Sequence, residues 1–166
     1  MPTLGYYLSK IYGGKYDNRD SQQNRRVRFK QDPQLDASRT NVILYYRGSF
    51  NPPHRGHMAV LWHAYYQLAE SLNVVAAFIR LNNDEGVQRK CEEHGGNRAL
   101  SKEHRTRLWM EDPRFPPWAW IKEDDTDSET LLRNIRKHAR KDGYRVQFAD
   151  LWYVSPEHQL LLSHHL

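Results

Sequence analysis

Two continuous apolar runs and one helical stripe organise the middle of this chain. Val42-Ile43-Leu44-Tyr45-Tyr46 is an unbroken β-branched and aromatic run that stops at Gly48, the pattern of a strand buried on both faces. After a loop holding Pro52 and Pro53, apolar residues recur at three- and four-residue intervals: Met58, Leu61, Trp62, Tyr65, Leu68, Ala69 and Leu72. That spacing predicts an amphipathic helix of about four turns. Val74 to Ile79 repeats the buried-strand pattern. Strand, helix and strand in this order predict a βαβ unit with parallel strands and a right-handed crossover.

Further along, Asn82 to Leu100 is polar, carries Gly86, Gly95 and Gly96, and reads as a long loop. Ser101 is placed to cap a helix running through Trp109 and Met110 and ending near Pro113. Trp118 to Lys122 reads as a third strand. Asp127 or Ser128 then caps a helix with Leu131, Leu132, Ile135, His138 and Ala139 on one face. It closes in Lys/Arg and Gly143, as a helix C-terminus does. Tyr144, Val146 and Phe148 alternate into a fourth strand. This order predicts an α/β fold, a Rossmann-like three-layer α/β/α domain with a parallel sheet, over residues 41–166. Residues 1–40 are polar and lack periodicity, and read as a basic, flexible tail in which Asp17 to Arg28 has almost nothing to bury. Leu4, Tyr6, Tyr7 and Leu8 are the apolar residues near its start.

The length of 166 residues fits one domain. The net charge of +5 is uneven: residues 1–40 hold eight Lys/Arg and four Asp, and the remainder balances to +1. A basic partner-seeking surface is therefore expected in the first quarter. The run Arg25-Arg26-Val27-Arg28-Phe29-Lys30 suits nucleic acid or a targeting patch, but a solvated tail explains it as well. A near-neutral body without a reader motif weighs against nucleic acid as a partner. No apolar run approaches the roughly 20 residues that span a bilayer, and the N-terminus has no stretch of signal-peptide type. A single cysteine, Cys91, forms no internal disulfide, so an intracellular setting, cytoplasmic or nuclear, is expected.

The residues that carry chemistry are Gly48-Ser49-Phe50-Asn51-Pro52-Pro53-His54-Arg55-Gly56-His57, between the first strand and the first helix. Open α/β sheets bind ligands at the carboxyl ends of their strands. A helix N-terminus there offers free N–H groups and partial positive charge to a phosphate. Gly48 is expected to turn the chain tightly off the strand, and Gly56 to let backbone approach a ligand. The stretch GSFNPPHRGH resembles the HxGH signature of the nucleotidyltransferase (cytidylyltransferase-like) superfamily. Its form, GxFxPxHxGH, is that of nicotinamide-nucleotide adenylyltransferases. Ser101 to Leu108 is similar to a helix start of that group, and Ser128-Glu129-Thr130-Leu131-Leu132 to a later segment. The resemblance spans roughly residues 41–150. Two features depart from it. Phe148-Ala149-Asp150-Leu151-Trp152 lacks the glycine of the family's nucleotide-touching turn, and no Ser/Thr/Arg phosphate motif follows before Leu166.

The resemblance implies attack by a substrate phosphate on the α-phosphate of a nucleoside triphosphate, ATP before CTP, so that an adenylyl (or cytidylyl) group is transferred and pyrophosphate is lost. His54 and His57 would donate hydrogen bonds to the triphosphate, and Gly48, Ser49, Phe50, Asn51 and Gly56 would shape the nucleotide pocket. Arg105 would supply a cationic contact from the second helix. Mg²⁺ would bridge phosphate oxygens, held mainly by substrate and water. The acceptor would be a small phosphate-bearing molecule such as nicotinamide mononucleotide. The missing distal motif supports two competing expectations, a truncated product or a nucleotide-binding relic without turnover. Other readings attach to single residues. His54, His57 and His63 have a spacing open to zinc, but no Cys or carboxylate cluster completes it. Trp62, Tyr65 and Tyr66 read as packing, Trp118 and Trp120 as packing before a base pocket, and Asp150 as a loop acid.

Overall fold

The computed structural model describes residues 2–12, 32–95, 98–122 and 127–151. Among these residues five helices and four strands follow one another as α1 (Leu4–Ile11), β1 (Asn41–Gly48), α2 (Arg55–Ala69), β2 (Asn73–Leu81), α3 (Asp84–Glu93), α4 (Lys102–Glu111), β3 (Ala119–Ile121), α5 (Ser128–Lys141) and β4 (Val146–Leu151). The strands form one sheet in the order β3-β2-β1-β4, with every pairing parallel. The chain steps outward from β1 through β2 to β3, then crosses back to place β4 on the other side of β1. The reversal makes the carboxyl end of β1 the switch point, where such sheets leave a crevice.

Strand alternation divides the core in two. Ile43 and Tyr45 face one side with Phe78, Trp120 and Val146, covered by α1 and α5 through Leu4, Leu8, Leu131 and Ile135. Leu44 and Tyr46 face the other with Ala77, Ile79 and Ile121, covered by Met58 and Leu61 of α2 and Trp109 of α4. The three-layer α/β/α architecture follows from this division. At the base, buried Asn41 ties the strands together. Its Nδ2 donates to the carbonyls of Asp36 (2.8 Å) and Arg145 (2.9 Å), and its Oδ1 accepts from Asp36 N–H (2.7 Å) and Asn73 Nδ2 (2.8 Å).

Two expectations change. The first forty residues do not form a tail at either described end. Thr3 caps α1, whose Leu4, Tyr7 and Leu8 are fully buried, each contributing roughly 1.5–3 kcal/mol by burial. Tyr7 Oη donates to Asp142 Oδ2 (3.1 Å) at the end of α5, and Leu35 is buried in the same core. An eight-residue helix shows its periodicity over barely two turns, too short a window to read in a polar surround. Asp17 to Arg28 lies outside the described residues. The second change is α3, where a loop was expected. Asn83 Oδ1 accepts from Gly86 N–H (3.0 Å), and Asp84 and Glu85 sit at the positive end of the helix. Val87 is its one buried residue, so capping marks this helix and an apolar stripe does not.

Candidate active site

β1 runs out at Gly48, whose carbonyl accepts from Asn82 N–H (2.9 Å) just beyond β2, so both strand ends are held side by side. The loop from Ser49 to His54 rises from there. Gly48 does not take the left-handed backbone; Phe50 does, at φ 45°. A side chain in that region costs about 1–3 kcal/mol and persists where its surroundings over-determine it. Here Phe50 folds its ring back over the α-carbon of Gly48, where a Cβ would lie 3.0 Å from Cζ. Gly48 is therefore needed for space beneath Phe50 and not for its own dihedral. The ring packs edge-on against Tyr46, His57 and Trp109, with centroids 5.0, 4.9 and 5.2 Å away. Phe50, 4% exposed, thus supports His57 from behind while bordering the cleft described below.

The two imidazoles cap α2 reciprocally. His54 Nδ1 accepts from Gly56 N–H (3.1 Å), and His57 Nδ1 accepts from the backbone N–H of His54 (3.1 Å). A capping box ordinarily pairs Ser or Thr with Glu; here two ring nitrogens do the work. Because backbone N–H groups can only donate, both Nδ1 atoms are acceptors, and each neutral ring carries its proton on Nε2. The rings lie 3.8 Å apart between centroids and 32° from parallel. Burial, then the neighbouring His54, pushes the pKa of His57 down to about 4. Gly56 permits this stack: a Cβ there would sit 3.0 Å from His54 Cε1.

These groups open into a cleft of about 860 Å³. One wall is the 48–57 loop; the other is the inner face of α3, with Val87, Lys90, Cys91 and His94. The polar composition of Asn82–Leu100 hides this wall, although Asn83-Asp84-Glu85 carries a capping signal. Arg47 and Lys90 line the cleft together with the histidines, and no Asp or Glu does so among the described residues. The cleft thus suits an anion. Among the described residues its lining offers no carboxylate to a magnesium ion, so such an ion would be held there by the oxygens of a bound ligand and by water. Among the described residues no group of three or more His, Cys, Asp or Glu is placed to hold a metal. His63 points to solvent on α2, while His57 is buried.

Other predicted residues take different places. Ser49 Oγ accepts from Asn82 Nδ2 (3.2 Å). Asn51 braces the far wall: its Oδ1 accepts from Leu100 N–H (2.8 Å) and its Nδ2 donates to Cys91 Sγ (3.4 Å). The Asn51–Pro52 peptide is cis. Arg105, expected to touch nucleotide, is wholly buried beneath the loop and is not part of the cleft lining. Its Nε donates to Leu100 O (2.9 Å), Nη1 to Ser49 O (2.6 Å), and Nη2 to Asn82 O (2.9 Å) and Asp84 Oδ1 (2.7 Å). It is a clamp that joins the start of α4 to the 48–57 loop and to the β2–α3 junction. Asp150 lies within β4 opposite Tyr45 and not in a loop. Trp120 is buried against Phe78, and Trp118 stacks on Tyr65 (4.8 Å) beside Trp62, so both tryptophans pack.

A parallel sheet with a switch-point cleft at a helix N-terminus, lined by the His54 and His57 imidazoles and by the cations Arg47 and Lys90, suits a phosphate-bearing ligand. Comparison with known families agrees: a model described as cytidylyltransferase-like matches residues 45–146, and the chain belongs to this family. Membership supports a nucleotidyltransferase-type activity on a nucleotide substrate. No curated protein matches the chain. Among the described residues, no helix is long and apolar enough to cross a membrane.

Proposed function

We propose that this protein transfers an adenylyl group from ATP to a small phosphate-bearing acceptor, with nicotinamide mononucleotide the first candidate, releasing pyrophosphate. The observation that carries this reading is the His54–His57 pair, locked as two Nε2–H donors at the N-terminus of α2 in a cleft that no carboxylate lines among the described residues. An acceptor phosphate oxygen forms a bond to the α-phosphorus, and the bond from that phosphorus to the β-bridging oxygen breaks. Pyrophosphate leaves with the electron pair. No covalent enzyme intermediate is required, so the protein positions the reactants and stabilises charge growing on the phosphoryl oxygens. Neutral imidazole donors suit this, since hydrogen bonds aimed where charge develops strengthen as it does. Lys90 and Arg47 add positive potential to the cleft. The GSFNPPHRGH form favours the nicotinamide branch, and a lone Cys91 suits a reducing, intracellular setting.

The test is pyrophosphate release from ATP, magnesium and nicotinamide mononucleotide by the full chain. His57→Ala is expected to slow it by about 10²–10³-fold, the loss typical of one oxyanion-type donor. Equal rates remove His57 from the reaction. Calorimetric binding of ATP without product from nicotinamide mononucleotide, phosphopantetheine, choline phosphate or glycerol phosphate identifies a nucleotide binder without turnover. Absence of both binding and product overturns the reading.

A further inference from the structure

The outward face of α5 holds a concentration of charge that the small net charge conceals. Arg133, Arg136, Lys137, Arg140 and Lys141 are all exposed. At 100° per residue they fall within an arc of about 140°, opposite buried Ile135. Among the described residues of α5 Glu129 is the one acid, and it falls within this arc, a turn upstream of Arg133. A solvated helix face ordinarily interleaves Glu with Lys so that i,i+4 neighbours attract. On α5 the i,i+4 neighbours are Arg133–Lys137, Arg136–Arg140 and Lys137–Lys141, and the i,i+3 neighbours Arg133–Arg136 and Lys137–Arg140. Each of these pairs repels, a standing cost to the helix.

Among the described residues none of the five enters a salt bridge. Arg133 reaches Thr130 Oγ1 (3.2 Å), and Arg136 reaches Val146 O (3.3 Å) and lies over the Phe148 ring. The apolar residues of α5 are turned into the core, which leaves this face without side chains to insert into lipid. The expectation that a basic surface would lie in the first quarter thus misses this one, because counting charge over 126 residues averages it against acids elsewhere.

We infer that the Arg133–Lys141 face of α5 binds the phosphodiester backbone of a nucleic acid. From Arg133 to Lys141 the stripe is about 12 Å long and lies along roughly seven phosphate charges of a duplex. Cations arranged along one helix, with no aromatic or amide side chain of α5 inside their arc, are suited to backbone contact without base readout. This surface lies on the helix layer opposite α2 and is independent of adenylyl transfer.

The test uses the full chain and a fluorescein-labelled 20-nucleotide RNA of mixed sequence, alone and as a duplex, with anisotropy read between 50 and 200 mM salt. The triple change Arg133→Gln, Lys137→Gln, Arg140→Gln is expected to weaken binding at 50 mM salt and to make the slope of log affinity against log salt shallower by about 2–3. These side chains are exposed, so the fold, followed by circular dichroism, is expected to be kept. The single change Arg140→Gln, with a slope shallower by about 1, tests the same surface if the triple variant misfolds. No binding at 50 mM salt overturns the inference, as does binding whose affinity and slope the changes leave alone. Capture by phosphatidylserine vesicles without binding to either RNA also overturns it.

Discussion

Arg105 offers the sharpest test of how the loop is built. Replacing it by Met keeps much of the stem and removes the guanidinium. The carbonyls of Leu100, Ser49 and Asn82 and the carboxylate of Asp84 lose a charged donor together. A hydrogen bond to a charged group is worth about 1.5–3 kcal/mol, but donors on one guanidinium do not add independently. Asp84, half-exposed, regains water when its partner goes, so the loss falls mainly on the three carbonyls. A destabilisation of about 3–5 kcal/mol is expected, in the range for removing one partner of a buried charged network. Against a typical domain stability of about 5–15 kcal/mol, that leaves a weakened but measurable fold. Arg105→Lys, which cannot make the planar fork, is expected to lose about half as much. Urea unfolding followed by tryptophan fluorescence gives both values, with Trp109 one turn away on α4 as a reporter. If Arg105→Met stays within about 1 kcal/mol of the parent while losing ATP affinity, Arg105 is a ligand contact and the clamp is refuted.

Two further outcomes follow from the histidine pair. Gly56→Ala pushes a Cβ against the His54 ring and is expected to cost about 0.5–2 kcal/mol through the lost cap, with weaker ATP binding by calorimetry; unchanged values in both would show that the ring has room. The folded pKa of His57, about 4, lies below the usual value near 6.5, so between these pH values the unfolded chain binds more protons. This contribution is complete above about pH 6.5 and is lost as pH falls through 4, on the order of 3 kcal/mol in all. Urea midpoints measured across that range should fall in the parent and fall less in His57→Asn; parallel profiles would contradict a buried, neutral His57.

Much of this molecule could be read in its residues because buried parallel strands and a long amphipathic helix write their periods plainly. Val42–Tyr46, Val74–Ile79 and the stripe from Met58 to Ala69 fall in the elements they predicted, while Leu72, the last residue of the expected stripe, lies in the turn after α2. Ser101 and Asp127 cap the helices they announced. His54 and His57 were legible through the decapeptide around them, and they do face one cleft. Other roles could not be read from spacing. Arg105 looks like any cation at a helix start, and only burial under three carbonyls shows that its charge is consumed internally. Gly48 suggested an unusual dihedral, whereas the strain sits two residues on, at Phe50. The wall formed by α3 was hidden because a polar helix anchored by Val87 carries almost no apolar pattern.

The docking of α1 bears on where the autonomous folding unit begins. The family match opens at Tyr45, inside the central strand, and closes at Val146, the first residue of β4. A fragment trimmed to those limits would discard α1 and Leu35 and strip the central strand of much of its partner. It would present Tyr45, Phe78 and Trp120 on a sheet face half unroofed. Such a piece would be prone to clump, and its inactivity would say nothing about the histidines. What a family model recognises and what can stand alone as a folded body are, in this protein, two different lengths of chain.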